Sequence, residues 1–346
     1  MVSARPAVSG GLLAFAAAVA FGATTPLVQR FGRDVGPFTT ATLLYLGATL
    51  VAALAGGPRV DPLRRADAPR LFFVAMLGAV AAPMALAWGL QRTSGVTASL
   101  LLNLEAPFTV LLARAVWREP VGLRVGGAVL IMGAAGALLV IDGREASVAG
   151  GWGALAVAGA TLAWASDAVV GRPLADRDAA SVVLAKSAVG AGAAFVLGRA
   201  FGEAWPRSGP VLALVACGAV GYGVSLGLYL RAQRTIGAAR TGTVFAAAPF
   251  IGAAVALVMG ERAAGSFTLA AGVLCAVGVW LNLGDRHAHA HVHAATDHEH
   301  PHRHDDGHHL HPHDVYPQGE HTHPHSHETL AHAHPHGQDV DHRHEH

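Results

Sequence analysis

Charge is scarce in this chain: 14% of its 346 residues are Asp, Glu, Lys or Arg, and Lys186 is the sole lysine. Histidine is absent from the first 286 residues, and cysteine occurs twice, at Cys217 and Cys275, without the spacing of a disulfide framework or a zinc knuckle. Both cysteines fall inside apolar runs and read as small core residues. No Gly-x-x-x-x-Gly-Lys-Ser/Thr phosphate loop is present, so any energy coupling is expected from an ion gradient. No nucleophile–base constellation stands on the apolar segments, so an enzyme is not expected, and neither is a nucleic-acid partner.

What is abundant is apolar. Hydrophobic residues make up 52% of the chain and come in long runs, not in a helical or strand period, which rules out a soluble globule. A hydrocarbon core about 30 Å thick takes roughly 20 residues of helix. Ten segments meet that length: 10–28, 37–56, 70–90, 97–117, 125–141, 151–171, 179–199, 210–230, 239–259 and 265–283. The first follows an arginine and is Ala-rich near residue 20, as a secretory signal would be. Its length suits a full span, however, and it has a counterpart later in the chain.

That counterpart belongs to an internal duplication. Gln91-Arg92-Thr93-Ser94-Gly95 recurs as Gln233-Arg234-Thr235-Ile236-Gly237, and the same offset of 142 carries Pro107-Phe108 onto Pro249-Phe250 and Glu119 onto Glu261. Gly127 and Gly133 match Gly272 and Gly278 at a slightly different offset, and Gly10-Gly11 matches Gly150-Gly151. The expected organisation is a first repeat over 1–143, a second over 144–285 and a tail over 286–346. Five spans per repeat force the second to enter the bilayer from the opposite side, giving an all-α membrane protein of two inverted five-helix repeats.

Basic residues in the short loops set the orientation. With the N-terminus in the cytoplasm, that side receives Arg5, Arg59, Arg64, Arg65, Arg70, Arg114, Arg118, Arg124, Arg172, Arg177, Arg231, Arg234, Arg240 and Arg286. The other side receives half as many: Arg30, Arg33, Arg92, Arg144, Arg199, Arg207 and Arg262. The expectation is a multi-pass protein of the cell inner membrane with both termini cytoplasmic.

The stretch Gly95 to Val140, with Ala98-Ser99-Leu100-Leu101-Leu102-Asn103-Leu104-Glu105-Ala106-Pro107-Phe108, then Glu119 and a glycine-bearing span, resembles the fourth and fifth helices of an EamA domain. Gly237 to Leu283 resembles the same piece of a second such domain. The resemblance covers residues 10–283 and leaves the tail outside. It implies membership of the drug/metabolite transporter superfamily: ten helices, termini inside, and a central cavity lined by helices one to four and six to nine, with five and ten peripheral. Such proteins move amino acids, nucleosides, sugar phosphates or toxic organic compounds, often as exporters driven by the proton gradient. One departure is visible: Glu105-Ala106-Pro107 carries a carboxylate where the second repeat has Ala247-Ala248-Pro249, so an ion-coupling role there exists in one repeat only.

Charged side chains at membrane depth cost about 2.5 kcal/mol or more and mark candidate sites. Glu105 lies about nine residues into its span, beside Asn103 and Pro107, which frees the carbonyl of residue 103. It reads either as a lining of the substrate path or as a carboxylate satisfied by a neighbouring helix. Asp167 and Lys186 flank the turn between the sixth and seventh spans at similar depth, which favours an interhelical ion pair over substrate contact. Trp88, Trp164, Tyr222 and Tyr229 lie within spans, where aromatic faces bind organic or cationic solutes but equally serve packing. Trp164 falls three residues before Asp167, on nearly the same helix face. Gly223 and Gly227 form a small-xxx-small pair suited to close helix packing.

All 22 histidines lie between His287 and His346, among ten acidic residues and two arginines. With so little to bury, this tail is expected to be disordered. Most of its histidines follow a His-x-His spacing: His287, His289, His291, His293, then His298, His300, His302, His304, then His321, His323, His325, His327, then His332, His334 and His336. Neutral imidazoles suit Zn, Ni, Co or Cu, and a flexible chain can wrap several around one ion; a merely tolerated polyelectrolyte is the competing reading. Protons compete for imidazole, so binding is expected to fade below its ordinary pKa of about 6.5.

The function expected first is secondary active transport, with export favoured, of a small metabolite or organic solute through a cavity between the repeats, with a metal-binding tail. No cofactor is required, the partners are the lipid bilayer, the small-molecule substrate and divalent metal ions, and a homodimer is compatible with the sequence. Two alternatives stand beside it: a Zn, Ni or Co exporter fed by the tail, and a membrane-anchored metal buffer or sensor. The spans weaken the former, because Glu105, Asp167 and Asn103 make a thin coordination shell for a transition metal.

Overall fold

A computed structural model describes residues 4–55, 63–118, 121–174, 177–261, 265–283, 287–293, 296–302, 321–327 and 330–336. Among them, nine helices are long and apolar enough to cross a bilayer: Val8–Phe31 (span 1), Pro37–Leu54 (span 2), Arg65–Leu90 (span 3), Gly95–Trp117 (span 4), Leu123–Gly143 (span 5), Val148–Leu174 (span 6), Ala180–Ala200 (span 7), Ser208–Gln233 (span 8) and Arg240–Val258 (span 9). A shorter apolar helix, Ser266–Asn282 (span 10), sits at the lower limit of about 17 residues for a crossing. Helices apolar on every side are what a lipid-surrounded bundle requires.

Local chemistry sets the helix ends. Pro37 opens span 2, where its missing N–H costs nothing. Ser94, Ser147 and Asp178 each accept a hydrogen bond from a backbone N–H three residues on, at Thr97, Gly150 and Ser181, which satisfies donors that the helix leaves orphaned. Gly237 and Gly260, at φ 83° and 93°, turn the chain after spans 8 and 9 through a left-handed conformation that other residues resist.

The packing repeats itself when the two halves are exchanged. Span 2 packs on span 7, span 4 on span 9 and span 5 on span 10, each against its own counterpart. Span 1 packs on spans 8 and 9, and span 6 correspondingly on spans 3 and 4. The counterparts run antiparallel. Thr268 Oγ1 at the start of span 10 donates to Asp142 Oδ2 at the end of span 5, 2.7 Å away. Glu203, just beyond span 7, accepts from the backbone N–H groups of Phe38 (3.1 Å) and Thr39 (2.7 Å) and from the Thr39 hydroxyl (2.7 Å), all in the first turn of span 2. Glu261, just beyond span 9, accepts from Val96 N–H in the first turn of span 4 at 3.2 Å. Equivalent helices that run antiparallel are the mark of an inverted repeat. Spans 5 and 10 present Leu130, Leu269, Val273 and Trp280 outward, as peripheral helices do.

Spans 3 and 8 each contain one π-helical stretch, Met76–Ala81 and Ala219–Val224. These are equivalent turns in the two repeats, and each holds a glycine, Gly78 and Gly221, at the same place. Close helix approach uses other glycines: a Cβ on Gly47 or Gly218 would collide with the backbone of the facing helix, so spans 2 and 8 touch main chain to main chain. Gly223 likewise packs on Val51, whereas the space beside Gly227 is open. The expected small-xxx-small contact is therefore made by Gly223 alone, because no described neighbour lies within 4 Å of where a Gly227 Cβ would stand.

The tail forms a separate unit from Arg286 onward. Its described residues are four strands: His287–His293 pairs antiparallel with Leu330–His336, and Thr296–His302 with His321–His327. The expectation for this region is a disordered segment with nothing to bury. Isolated two-stranded ribbons supply no core and are marginal in water. The register sets His289 opposite His334 and His300 opposite His323.

Candidate functional site

The site is built around one carbonyl group. In the π-helical stretch of span 3 the regular i→i−4 ladder is interrupted, and the Gly78 carbonyl accepts two side-chain hydrogen bonds. Tyr45 Oη donates to it from span 2 at 2.5 Å, and Trp164 Nε1 from span 6 at 3.0 Å. One turn beyond Trp164, Asp167 forms an ion pair with Lys186 of span 7. A Cβ on residue 78 would collide with the Asp167 carboxylate and approach Lys186 Nζ to 2.9 Å, so only glycine leaves room for the pair. The side chains of Asp167 and Lys186 are 12% and 23% exposed, which places the pair inside the bundle and not on its lipid face.

Aromatic rings continue from this point. The Tyr222 ring, in the π-helical stretch of span 8, lies 5.5 Å from that of Tyr45, 5.9 Å from Phe21 and 6.5 Å from Trp164. Phe245 contacts Phe21 at 5.6 Å and Tyr229 at 5.0 Å. These separations are those of favourable aromatic pairs. The rings come from spans 1, 2, 6, 8 and 9, so the cluster is shared by both repeats.

Glu105 begins the last helical segment of span 4, directly after a tight 3-10 turn at Leu102–Leu104. It lies within electrostatic reach of Asp167 and Lys186 and of Tyr45, Tyr222 and Tyr229. Among the described residues, no hydrogen bond or ion pair reaches its carboxylate. Of the residues singled out in the sequence, the fold thus brings together Trp164, Asp167, Lys186, Tyr222 and Tyr229, with Glu105 within electrostatic reach of them. Asn103 is buried and donates to the Leu100 carbonyl of its own helix at 3.0 Å. Trp88 is not in the cluster: it sits two residues from the end of span 3, under the Arg92 guanidinium at 3.7 Å. Ten residues of helix separate it from Gly78, about 15 Å along the axis, so it belongs with the interfacial aromatics. The tail histidines lie in the separate unit, and His304 lies outside the described residues.

Four contributors, Tyr45, Gly78, Phe21 and Phe245, were not singled out from the sequence. A signal existed. The offset of 143 that relates the two π-helical stretches also sets Phe21 against Trp164, Gly78 against Gly221 and Thr24 against Asp167. The Thr24 hydroxyl abuts Gly221 as the Asp167 carboxylate abuts Gly78. The repeats therefore share one scaffold, and the charges Asp167, Lys186 and Glu105 decorate it on one side only. A second feature lies elsewhere: an apolar crevice of about 330 Å³ lined by Val96, Leu100, Phe250, Leu257, Thr268 and Val273 between spans 4, 9 and 10. It opens sideways among lipid-facing residues and shares no lining residue with the polar cluster.

Among the described residues, nine spanning helices and a shorter tenth in an inverted repeat, with charged and aromatic groups gathered inside, define a polytopic membrane protein. The model of the EamA-like transporter family matches residues 8–141 and again residues 151–284. The chain belongs to that family, whose members are transporters. It is 33% identical over 137 residues to an uncharacterized transporter of Methanothermobacter thermautotrophicus, a match covering 37% of this chain and 38% of that protein. A solved crystal structure at 19% identity superimposes with a TM-score of 0.58 over 79% of this chain and 95% of the other, which is a likeness of fold.

Proposed function

We propose that the protein is a secondary active transporter, working as an exporter of a small metabolite or organic solute, whose path runs through the cluster between the repeats. The observation that carries this reading is the convergence on one π-helical carbonyl of groups from both halves: Tyr45, Trp164, the Asp167–Lys186 pair and, through its ring, Tyr222. In an inverted repeat the contact between halves is where alternating access exposes a solute first to one side and then to the other. Driving force comes from an ion gradient. The protein resides in the cell inner membrane with both termini in the cytoplasm.

The test is uptake into proteoliposomes across a panel of radiolabelled metabolites and organic compounds. Trp164→Ala is expected to abolish uptake of any solute that the wild type moves, while the folded protein still elutes as a single species. Unchanged uptake by that variant would remove the cluster from the path. The tail is proposed to bind divalent metal, Zn, Ni, Co or Cu, through its His-x-His runs. A metal cargo would need ligands in the spans. Among the described residues no group of three or more His, Cys, Asp or Glu stands close enough to hold an ion.

A further inference from the structure

The two ends of the bundle are not equivalent. At the end where spans 2, 4 and 10 begin, each of these helices is held by a carboxylate from its own counterpart. Glu203, beyond span 7, accepts from Phe38 N–H, Thr39 N–H and the Thr39 hydroxyl; Glu261, beyond span 9, from Val96 N–H; and Asp142, at the end of span 5, from the Thr268 hydroxyl. Spans 4 and 9 meet at this end through Gly95–Leu101 and Ala248–Val258. Towards the other end they part: Glu105–Trp117 packs on spans 5 and 6, and Ala238–Phe245 on spans 1 and 8. Their first residues show the same contrast. A Cβ on Gly95, at the start of span 4, would meet Gln29, Glu261 and Ala256, whereas at its repeat counterpart Gly237, at the start of span 9, no described residue lies within 4 Å of that position. The bonds at the other end, from Arg177 to Asp67 and from Trp117 Nε1 to the Val169 carbonyl, join span 6 to spans 3 and 4, which already pack on it.

Two hydroxyls stand behind the carboxylates without a partner. Thr40, next to Thr39, and Ser99, three residues after Val96, are fully buried, and their oxygens make no hydrogen bond. A buried hydroxyl left unpaired costs free energy, and a state in which water reaches it removes that cost. Ser99 lies on the seam itself: a Cβ on Gly252 of span 9 would stand 2.8 Å from its oxygen and from the Gly22 carbonyl of span 1.

Resting on the transporter reading above, we propose that Glu261 and Glu203 are the latch of a gate. The structure is the state closed at their end and open at the other, and release of the first turns of spans 4 and 2 opens the seam past Ser99 and Thr40. In an inverted repeat the two states exchange the conformations of the halves, so bonds that close one end must break when it opens. Both carboxylates are positioning residues, acting on helix ends and not on the solute.

The test uses the full-length protein in detergent, with Cys217 and Cys275 replaced by alanine and Ser99→Cys as reporter. Its modification by 2-(trimethylammonium)ethyl methanethiosulfonate, a charged reagent that needs water, is expected to be slow. Glu261→Ala is expected to speed it about tenfold, the shift that loss of one bond to a charged group gives a two-state equilibrium. Adding Glu203→Ala speeds it further, and Glu261→Gln, which keeps a carbonyl acceptor, falls between. Ala256→Cys, buried at the same seam, is expected to follow the same order, and Met132→Cys, buried between the peripheral spans 5 and 10, to stay slow throughout. Fast modification of the Ser99→Cys reporter with both glutamates in place overturns the latch. So does the absence of acceleration at either seam reporter, or equal acceleration at Met132→Cys, which signals general loosening. No solute enters this readout, so latch and transport are judged apart. If the reporters respond as expected while the wild type carries nothing in the panel above, the latch stands and the transporter reading falls.

Discussion

Replacing Lys186 with methionine removes the ammonium of the Asp167 pair and keeps most of the apolar stem. Among the described residues Lys186 is the one cation that acts on Asp167: Glu105 repels it, and Gly78, packed against its carboxylate, carries no side chain. The side chain cannot swing to water, being 12% exposed inside the bundle. A carboxylate stranded at membrane depth costs about 2.5–3.5 kcal/mol on insertion scales, and breaking a buried pair in a protein costs about 3–5 kcal/mol. Lys186→Met is therefore expected to destabilise by roughly 3 kcal/mol, or about 6–12 °C in the midpoint of thermal unfolding in detergent. The double variant Lys186→Met/Asp167→Asn strands no charge and is expected to recover more than half of that loss, because a buried pair exchanged for neutral groups of similar volume is close to neutral in stability. Midpoints for the wild type, both single variants and the double variant complete the cycle. A single variant as stable as the wild type, or a double variant at the sum of the two single losses, would refute the pairing as the source of the effect.

Gly78→Ala is expected to cost about 1–3 kcal/mol, because the added methyl meets the Asp167 carboxylate and the segment is held in place by Tyr45 and Trp164; Gly227→Ala, beside open space, is expected to leave the midpoint unchanged. Glu203→Ala removes the acceptor of three hydrogen bonds at the start of span 2 and is expected to lower stability by about 1–3 kcal/mol, with Glu203→Gln recovering part of it. Truncation after residue 285 is expected to leave solute uptake intact and to abolish zinc binding measured by calorimetry. In the full-length protein that binding is expected to weaken as pH falls through about 6.5, since protonated imidazole has no lone pair for a metal. Zinc binding that survives truncation would show that the tail is not the site.

The spans and their pairing into repeats could be read along the chain, because membrane insertion is decided by apolar length and a duplicated motif survives as repeated residues. The sequence also marked Glu105, Asp167, Lys186 and Trp164, since a charge or large amphipathic ring in an apolar run stands out wherever it lies. Tertiary structure alone decided which of these meet. Trp88 and Trp164 look alike along the chain, yet one stacks under Arg92 at the end of its span and the other bonds to Gly78 inside the bundle. Gly78 itself is one of 42 glycines, and nothing local distinguishes it. Its importance comes from a π-helical stretch that frees a carbonyl, and from the helices that bring Tyr45 and Asp167 against it. Those contacts link residues 33 and 89 positions apart, and a separation of that kind is settled by packing between helices, not by the sequence around either partner.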